Sequence, residues 1–207
     1  MGDGPTHLRS RLSREDRQDH ILEAAAELFS RKGYQGTTTR AIAQACGINE
    51  AILFRFFPTK RDLYEALLDR ILHTWREEIL PAFSEYDSLP LEESLLKISQ
   101  AIVEQVHQDP RLIRIMLYSS LESAEYAHGF FRKELPLNQF LEKFFHQRVK
   151  RGEIHLTHIP LVVKTFLALL FQYLTMKEIY QSAHYFVVPE SQVLSFFVKT
   201  LLRGIAT

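Results

Sequence analysis

Cysteine is nearly absent from this 207-residue chain, with Cys46 standing alone. One cysteine cannot form an intramolecular disulfide, so Cys46 is expected as a small buried residue in a reducing, cytoplasmic setting. Net charge is absent as well. The 25 basic and 25 acidic residues cancel, so no global field draws the chain to a polyanion or a membrane, and any such binding must come from a local patch. Long apolar runs are scarce. The longest, TFLALLFQYLTM at 165 to 176, lies between Lys164 and Lys177 and falls short of the ~20 residues of a membrane span. The opening MGDGPTHLRSRLSRED has charges and no apolar stretch of the signal-peptide kind, and residues 1 to 13 read as a flexible arm. Catalytic signatures are missing too. There is no P-loop, Ser119-Ser120 lacks a nucleophile elbow's glycines, and His155-x-x-His158 has no cysteine or carboxylate cluster beside it to complete a metal site. No enzyme, cofactor or bound metal is expected.

What is present is helical periodicity over a chain that is 46% hydrophobic, enough for one substantial core or a small domain plus a larger one. Apolar residues recur as Ile21, Leu22, Ala25, Leu28, Phe29, as Leu63, Leu67, Ile71, Trp75, Ile79, and as Leu91, Leu95, Ile98, Ile102, Val106. No alternating strand pattern competes, so the fold class is all-α. About nine helices are expected, at 14 to 32, 38 to 45, 49 to 57, 59 to 85, 90 to 108, 110 to 121, 124 to 152 with a break near Pro136, 158 to 181, and 189 to 204. Thr59 to Asp62 reads as a capping box, and Asp109-Pro110 as an N-cap with proline at the first helical position. Short helices precede Thr59 and long ones follow it. The expected division is a module at 14 to 58 and a larger helical domain at 59 to 207.

The second and third helices are separated by CGIN, and Gly47 falls where a tight turn between crossing helices needs positive φ. That spacing is a helix-turn-helix. Projected at about 100° per residue, Asn49, Leu53, Phe56 and Phe57 share one side of the third helix, and Ala51, Phe54 and Arg55 the other, flanked by Glu50 and Ile52. An outward apolar cluster marks a contact surface, and in a major groove it can meet thymine methyls while arginine and lysine reach phosphates. The competing reading is a plain three-helix packing unit with Phe54 folded back into the core. Residues 1 to 62 carry ten basic and eight acidic residues, too small a surplus for a nonspecific clamp and compatible with positioned contacts made by a dimer.

The stretch ILEAAAELFSRKGYQGTTTRAIAQACGINEAILFRFFPTKRDLYEAL, residues 21 to 67, resembles the DNA-binding region of the tetracycline-repressor (TetR) family of bacterial transcriptional regulators. Ala24-Ala25, Leu28-Phe29, Gly33-Tyr34, Gly36-Thr37-Thr38, Ile42-Ala43, Gly47-Ile48, Leu53, Phe56-Phe57 and Lys60-Arg61-Asp62-Leu63 carry the likeness. The resemblance implies a double-stranded DNA operator as partner. It implies that Thr38 or Thr39 bonds a phosphate, that Arg40 reaches a base edge or phosphate, that Asn49, Glu50, Ala51 and Ile52 approach bases, that Phe54, Arg55 and Phe56 line the backbone, and that Lys60 grips a phosphate. Two departures stand out: Phe54 replaces the family's usual tyrosine and lacks its hydroxyl, and Ala51 and Ile52 occupy positions that are often glycine and polar.

The resemblance further implies a homodimer paired through the last two helices. That fits residues 161 to 176, which are apolar around nearly the whole circumference and so need burial on two sides. Phe166, Leu170, Tyr173, Leu174, Val193, Phe197 and Leu201 are the expected interface. A small hydrophobic effector is expected among the aromatics of the larger domain, held by Trp75, Met116, Tyr118, Ser119, Glu122, Tyr126, Phe130, Phe140, Phe144, Gln172 and Met176. No cationic cluster stands among these residues, which favours a neutral or cationic effector over an acyl-CoA or a phosphate. The implied function is a repressor released from its operator by that effector. The alternatives are a DNA-binding regulator without a small-molecule effector and a helical protein-interaction module.

Overall fold

A computed structural model of the chain describes residues 13 to 122, 135 to 155, 157 to 180 and 187 to 205. Most of the residues assigned to the arm, the start of the helix expected from 124, and the candidate ligand residues Tyr126 and Phe130 lie outside the described residues. The chain divides into two compact units, Met1–Leu67 and Leu68–Thr207. Every regular element among the described residues is helical: α1 Arg14–Gly36, α2 Thr39–Ala45, α3 Glu50–Phe56, α4 Lys60–Thr74, α5 Leu80–Phe83, α6 Leu91–Gln108, α7 Arg111–Leu121, α8 Pro136–Lys150, α9 Ile159–Leu174 and α10 Glu190–Ile205.

Side-chain caps start the helices of the first unit. Ser13 and Asp16 form a reciprocal capping box on α1, Thr38 Oγ1 accepts from the Ala41 amide on α2, and Asn49 Oδ1 accepts from the Ile52 amide on α3. The box expected at Thr59 is present, with the Thr59 amide donating to Asp62 Oδ2 and the Asp62 amide to Thr59 Oγ1. Two glycines change the chain's direction. Gly33, at φ 69°, interrupts the regular run of α1, and Gly47, at φ 64°, makes the turn between α2 and α3. Ile21, Phe29, Ile42, Leu53 and Leu63 meet in the core, each at most 1% exposed. Phe29, Tyr34 and Tyr64 close it as a ring cluster with centroids 5.0 to 5.9 Å apart.

In the second unit, the helix expected to run unbroken to residue 85 passes through a π-helical turn at Trp75–Ile79 before α5. Pro81 supplies the reason, because it has no amide hydrogen and its ring crowds the carbonyl four residues back. The start of α7 is also displaced by one position. Pro110 is the cap residue, while Asp109 Oδ1 accepts from the Arg111 amide and its carboxylate pairs with the Arg111 guanidinium. Arg148 is a tie that no pattern of residue type or spacing marks. Only 2% exposed, it donates to Glu153, to Ser94 Oγ and to the Asp87 carbonyl, and it stacks on Phe144.

The helical run Ile159–Ile179 is long and apolar enough to cross a membrane by length and composition, longer than the apolar run alone suggested. Its Val163, Phe166, Leu170 and Tyr173 are each at most 1% exposed in the chain's own core, and a core helix passes the same test. That burial corrects the expected dimer residues. Phe166, Leu170, Tyr173, Leu174, Val193 and Leu201 are buried within one copy and Phe197 is half-buried, so a partner cannot reach most of them. The wheel of an apolar helix does not say which face the chain itself covers. The large apolar side chains left outward on α9 and α10 are Leu161, 59% exposed, and Phe196, 67% exposed.

Candidate nucleic-acid interface and internal cavity

The anchor of α3 is Leu53, fully buried, with Phe57 at 4% exposure just beyond the helix end. Anchoring this edge turns the other outward: Ala51 and Arg55 are exposed, Phe54 is 41% exposed, and Ile52 and Phe56 are half-buried. Phe54 is therefore not folded back into the core. Arg40 on α2 is also exposed, and neither Arg40 nor Arg55 has an ion-pair or hydrogen-bond partner among the described residues. Arg31 and Arg61, by contrast, are paired with Glu27 and Glu65 four residues away. Unpaired guanidiniums beside an exposed apolar edge fit a polyanion whose bases present methyl groups.

The two threonines differ. Thr39 Oγ1 donates to Glu50 Oε1 at 2.6 Å, which commits its hydroxyl proton. Thr38 uses its oxygen as the α2 cap and has no acceptor for its proton among the described residues. Thr38 is thus the better placed to donate to a phosphate. Asn49 keeps its NH2 group, but its carbonyl oxygen holds the Ile52 amide at 2.9 Å. A two-bond grip on adenine requires that oxygen as well, so the cap would have to open.

Lys60 departs from its expected role. Its Nζ donates to the carbonyls of Tyr34 at 2.8 Å and Thr37 at 2.9 Å and sits 4.2 Å from the centre of the Tyr34 ring. Those carbonyls belong to the tight connection after Gly33, where Thr37 Oγ1 also donates to the Gly33 carbonyl. Lys60 clamps the start of α4 onto that connection. Sequence position alone did not reveal these carbonyls, because they come from residues 23 and 26 positions away. Burial pushes the half-buried Cys46 thiol up, so it stays protonated, and its Sγ lies 3.8 Å from the His20 carbonyl.

A cavity of about 470 Å³ opens in the second unit, within the size range of small-molecule sites. Of the expected ligand residues, Trp75 and Met116 line it, together with Leu72, Ile102, Leu167 and Phe171. Tyr118, Ser119, Glu122, Phe140, Phe144, Gln172 and Met176 do not. Ser119 donates to the Ile115 carbonyl, Phe140 packs against Phe83, Phe144 is core, and Gln172 is exposed. The polar lining consists of Ser120, Asn138 and Lys164. The charged member is a cation, which weakens the ground for favouring a neutral or cationic effector over an acyl-CoA or a phosphate. Lys164 borders an apolar run, and nothing in its type or spacing sets it apart from the solvated end of a core helix. His155 and His158 are exposed, and no group of three His, Cys, Asp or Glu able to hold a metal occurs among the described residues.

Comparison with known proteins places these features. Residues 21 to 67 match the family described as bacterial regulatory proteins, tetR family. Over 157 residues the chain is 27% identical to the HTH-type transcriptional regulator LuxR of Vibrio harveyi, covering 73% of this chain and 74% of that protein. Over 103 residues it is 32% identical to the nucleoid occlusion factor SlmA of Haemophilus ducreyi, covering 49% of this chain and 50% of that relative, so that match spans about half the relative's length. In fold it is similar to the transcriptional regulator FadR of Bacillus subtilis solved with stearoyl-CoA, with a TM-score of 0.76 at 16% identity over 90% of this chain and 98% of that one. Residues 21 to 67, which contain the whole helix-turn-helix, thus form a DNA-binding region of the tetR-family kind, in a chain whose regular elements are helical throughout the described residues.

Proposed function

We propose that the chain is a homodimeric repressor that holds a near-palindromic operator through residues 38 to 55 and releases it when a small apolar effector fills the 470 Å³ cavity. The observation that carries the DNA-binding part is the exposure of Arg40 and Arg55, without protein partners among the described residues, around the outward edge of α3. In this reading residues 14 to 58 read the operator and residues 59 to 207 hold the effector and the dimer contact, in the cytoplasm. Two copies pair through the outward faces of α9 and α10, where Leu161 and Phe196 expose more apolar surface than a lone core helix needs. Each recognition helix then enters one of two successive major grooves, ~34 to 36 Å apart.

Release follows as a population shift. Lys60 clamps one end of α4, and Leu72, near the other end of the same helix, lines the cavity. An effector bound more tightly by one setting of α4 favours that setting, and the spacing of the two α3 helices changes with it. The cavity favours this over a regulator without an effector. Selection of genomic fragments on the intact protein, followed by footprinting, tests the reading. It predicts a protected two-fold symmetric site, while uniform retention of all fragments overturns it.

A further inference from the structure

The polar lining of the cavity says more than its size. Lys164 is the charged residue on the wall, it is exposed, and it has no ion-pair partner among the described residues. Beyond it on α9 the wall continues as Leu167, Ala168, Leu170, Phe171 and Leu174. At 1.5 Å rise per residue, Lys164 and Leu174 stand about 15 Å apart along the helix. The wall thus carries one cation followed by an uninterrupted apolar strip, with no carboxylate in it.

We infer that the effector is an aliphatic chain ending in an anionic head, with the head paired to Lys164 and the tail lying along α9 toward Leu174. This rests on the reading of the cavity as the effector site. A cationic amphiphile would meet like charge at Lys164 and no compensating carboxylate on the wall. A neutral one would fill the apolar strip and leave the ammonium solvated. An anionic head is the species that uses both halves of the wall, because desolvating a carboxylate is offset where it gains a charge-assisted bond. A free fatty acid presents this chemistry directly through its carboxylate, whereas a coenzyme A thioester carries its phosphates a pantetheine arm beyond the acyl carbonyl and meets Lys164 with charge only if that arm also lies along the strip.

Trp75 lines the cavity and is the chain's sole tryptophan, so its emission reports occupancy of the intact protein. Titration with dodecanoate, dodecanoyl-CoA, 1-dodecanol and dodecylamine, on wild type and Lys164→Gln, separates the possibilities. At least one anion should bind roughly threefold to tenfold more tightly than the alcohol, the span of an ion pair that is exposed at one end and desolvated at the other. The amine should bind more weakly than the alcohol. Lys164→Gln should reduce the anion's affinity to that of the alcohol and leave the alcohol unchanged. Preference for the acid or for the thioester identifies which of the two supplies the head. Equal affinity of anions and alcohol in wild type, or no response to Lys164→Gln, overturns the inference while leaving the cavity reading intact. Failure of all four compounds to change Trp75 emission overturns both.

Discussion

Replacing Lys60 with methionine separates two roles for that residue. The substitution keeps most of the aliphatic stem and removes the ammonium that donates to the Tyr34 and Thr37 carbonyls at 2.8 and 2.9 Å and sits over the Tyr34 ring. Hydrogen bonds to a charged group contribute about 1.5–3 kcal/mol each, and an exposed cation–π contact about 0.5–1 kcal/mol. The contacts share one donor group and do not add, so the expected loss is on the order of 2–4 kcal/mol. With a urea slope of about 1–3 kcal/mol/M, the unfolding midpoint should fall by roughly 1–2 M when followed by circular dichroism. Amide hydrogen exchange should rise within residues 14 to 67. Under conditions where the variant remains folded, the salt dependence of DNA binding should match wild type. An unchanged midpoint, with the salt slope smaller by about one, would refute the reasoning and return the ammonium to a phosphate.

Phe54→Tyr adds a hydroxyl to a ring that is 41% exposed; operator affinity should rise by about 0.5–1.5 kcal/mol with the unfolding midpoint unchanged, as anisotropy and urea titration will show. Gly47→Ala meets open space but a φ of +64°, so backbone strain alone should cost roughly 1–2 kcal/mol in urea unfolding. For Asp109, burial raises the carboxyl pKa, but the hydrogen bonds and charge of Arg111 outweigh burial and hold it below the ordinary aspartate range. A depressed folded-state pKa gives stability that is present above the unfolded-state value and lost as pH falls through the folded one. Asp109→Asn should therefore flatten that part of the acid limb in thermal melts taken at successive pH values, and an unchanged limb would show that the pair contributes nothing.

The all-helical fold was legible where caps and periodicity agree, as at Thr59 to Asp62 and along residues 91 to 106. Local rules were enough there. They failed where an answer depended on distant chain. Lys60 was assigned to DNA because its carbonyl partners lie in a connection that only the fold brings beneath it. The expected dimer residues on α9, Phe166, Leu170, Tyr173 and Leu174, share the face that the chain buries in itself, as Val193 and Leu201 do on α10. In the cavity, Trp75 and Met116 were found from residue type, whereas Leu72, Ile102 and Lys164 have no mark of type or spacing that separates them from core and surface neighbours. On α3, side-chain direction was readable because a seven-residue helix anchored by one buried leucine leaves little choice of outward face.

The central claim is that the outward edge of α3, with Arg40 and Arg55, is a DNA-reading surface. The most direct measurement is the salt dependence of affinity for the selected operator, for wild type and for Arg40→Ala and Arg55→Ala proteins of verified fold. Each substitution should weaken binding, and any arginine on a phosphate should lower the magnitude of the slope by about one. Affinity and slope unchanged in both variants would contradict the account.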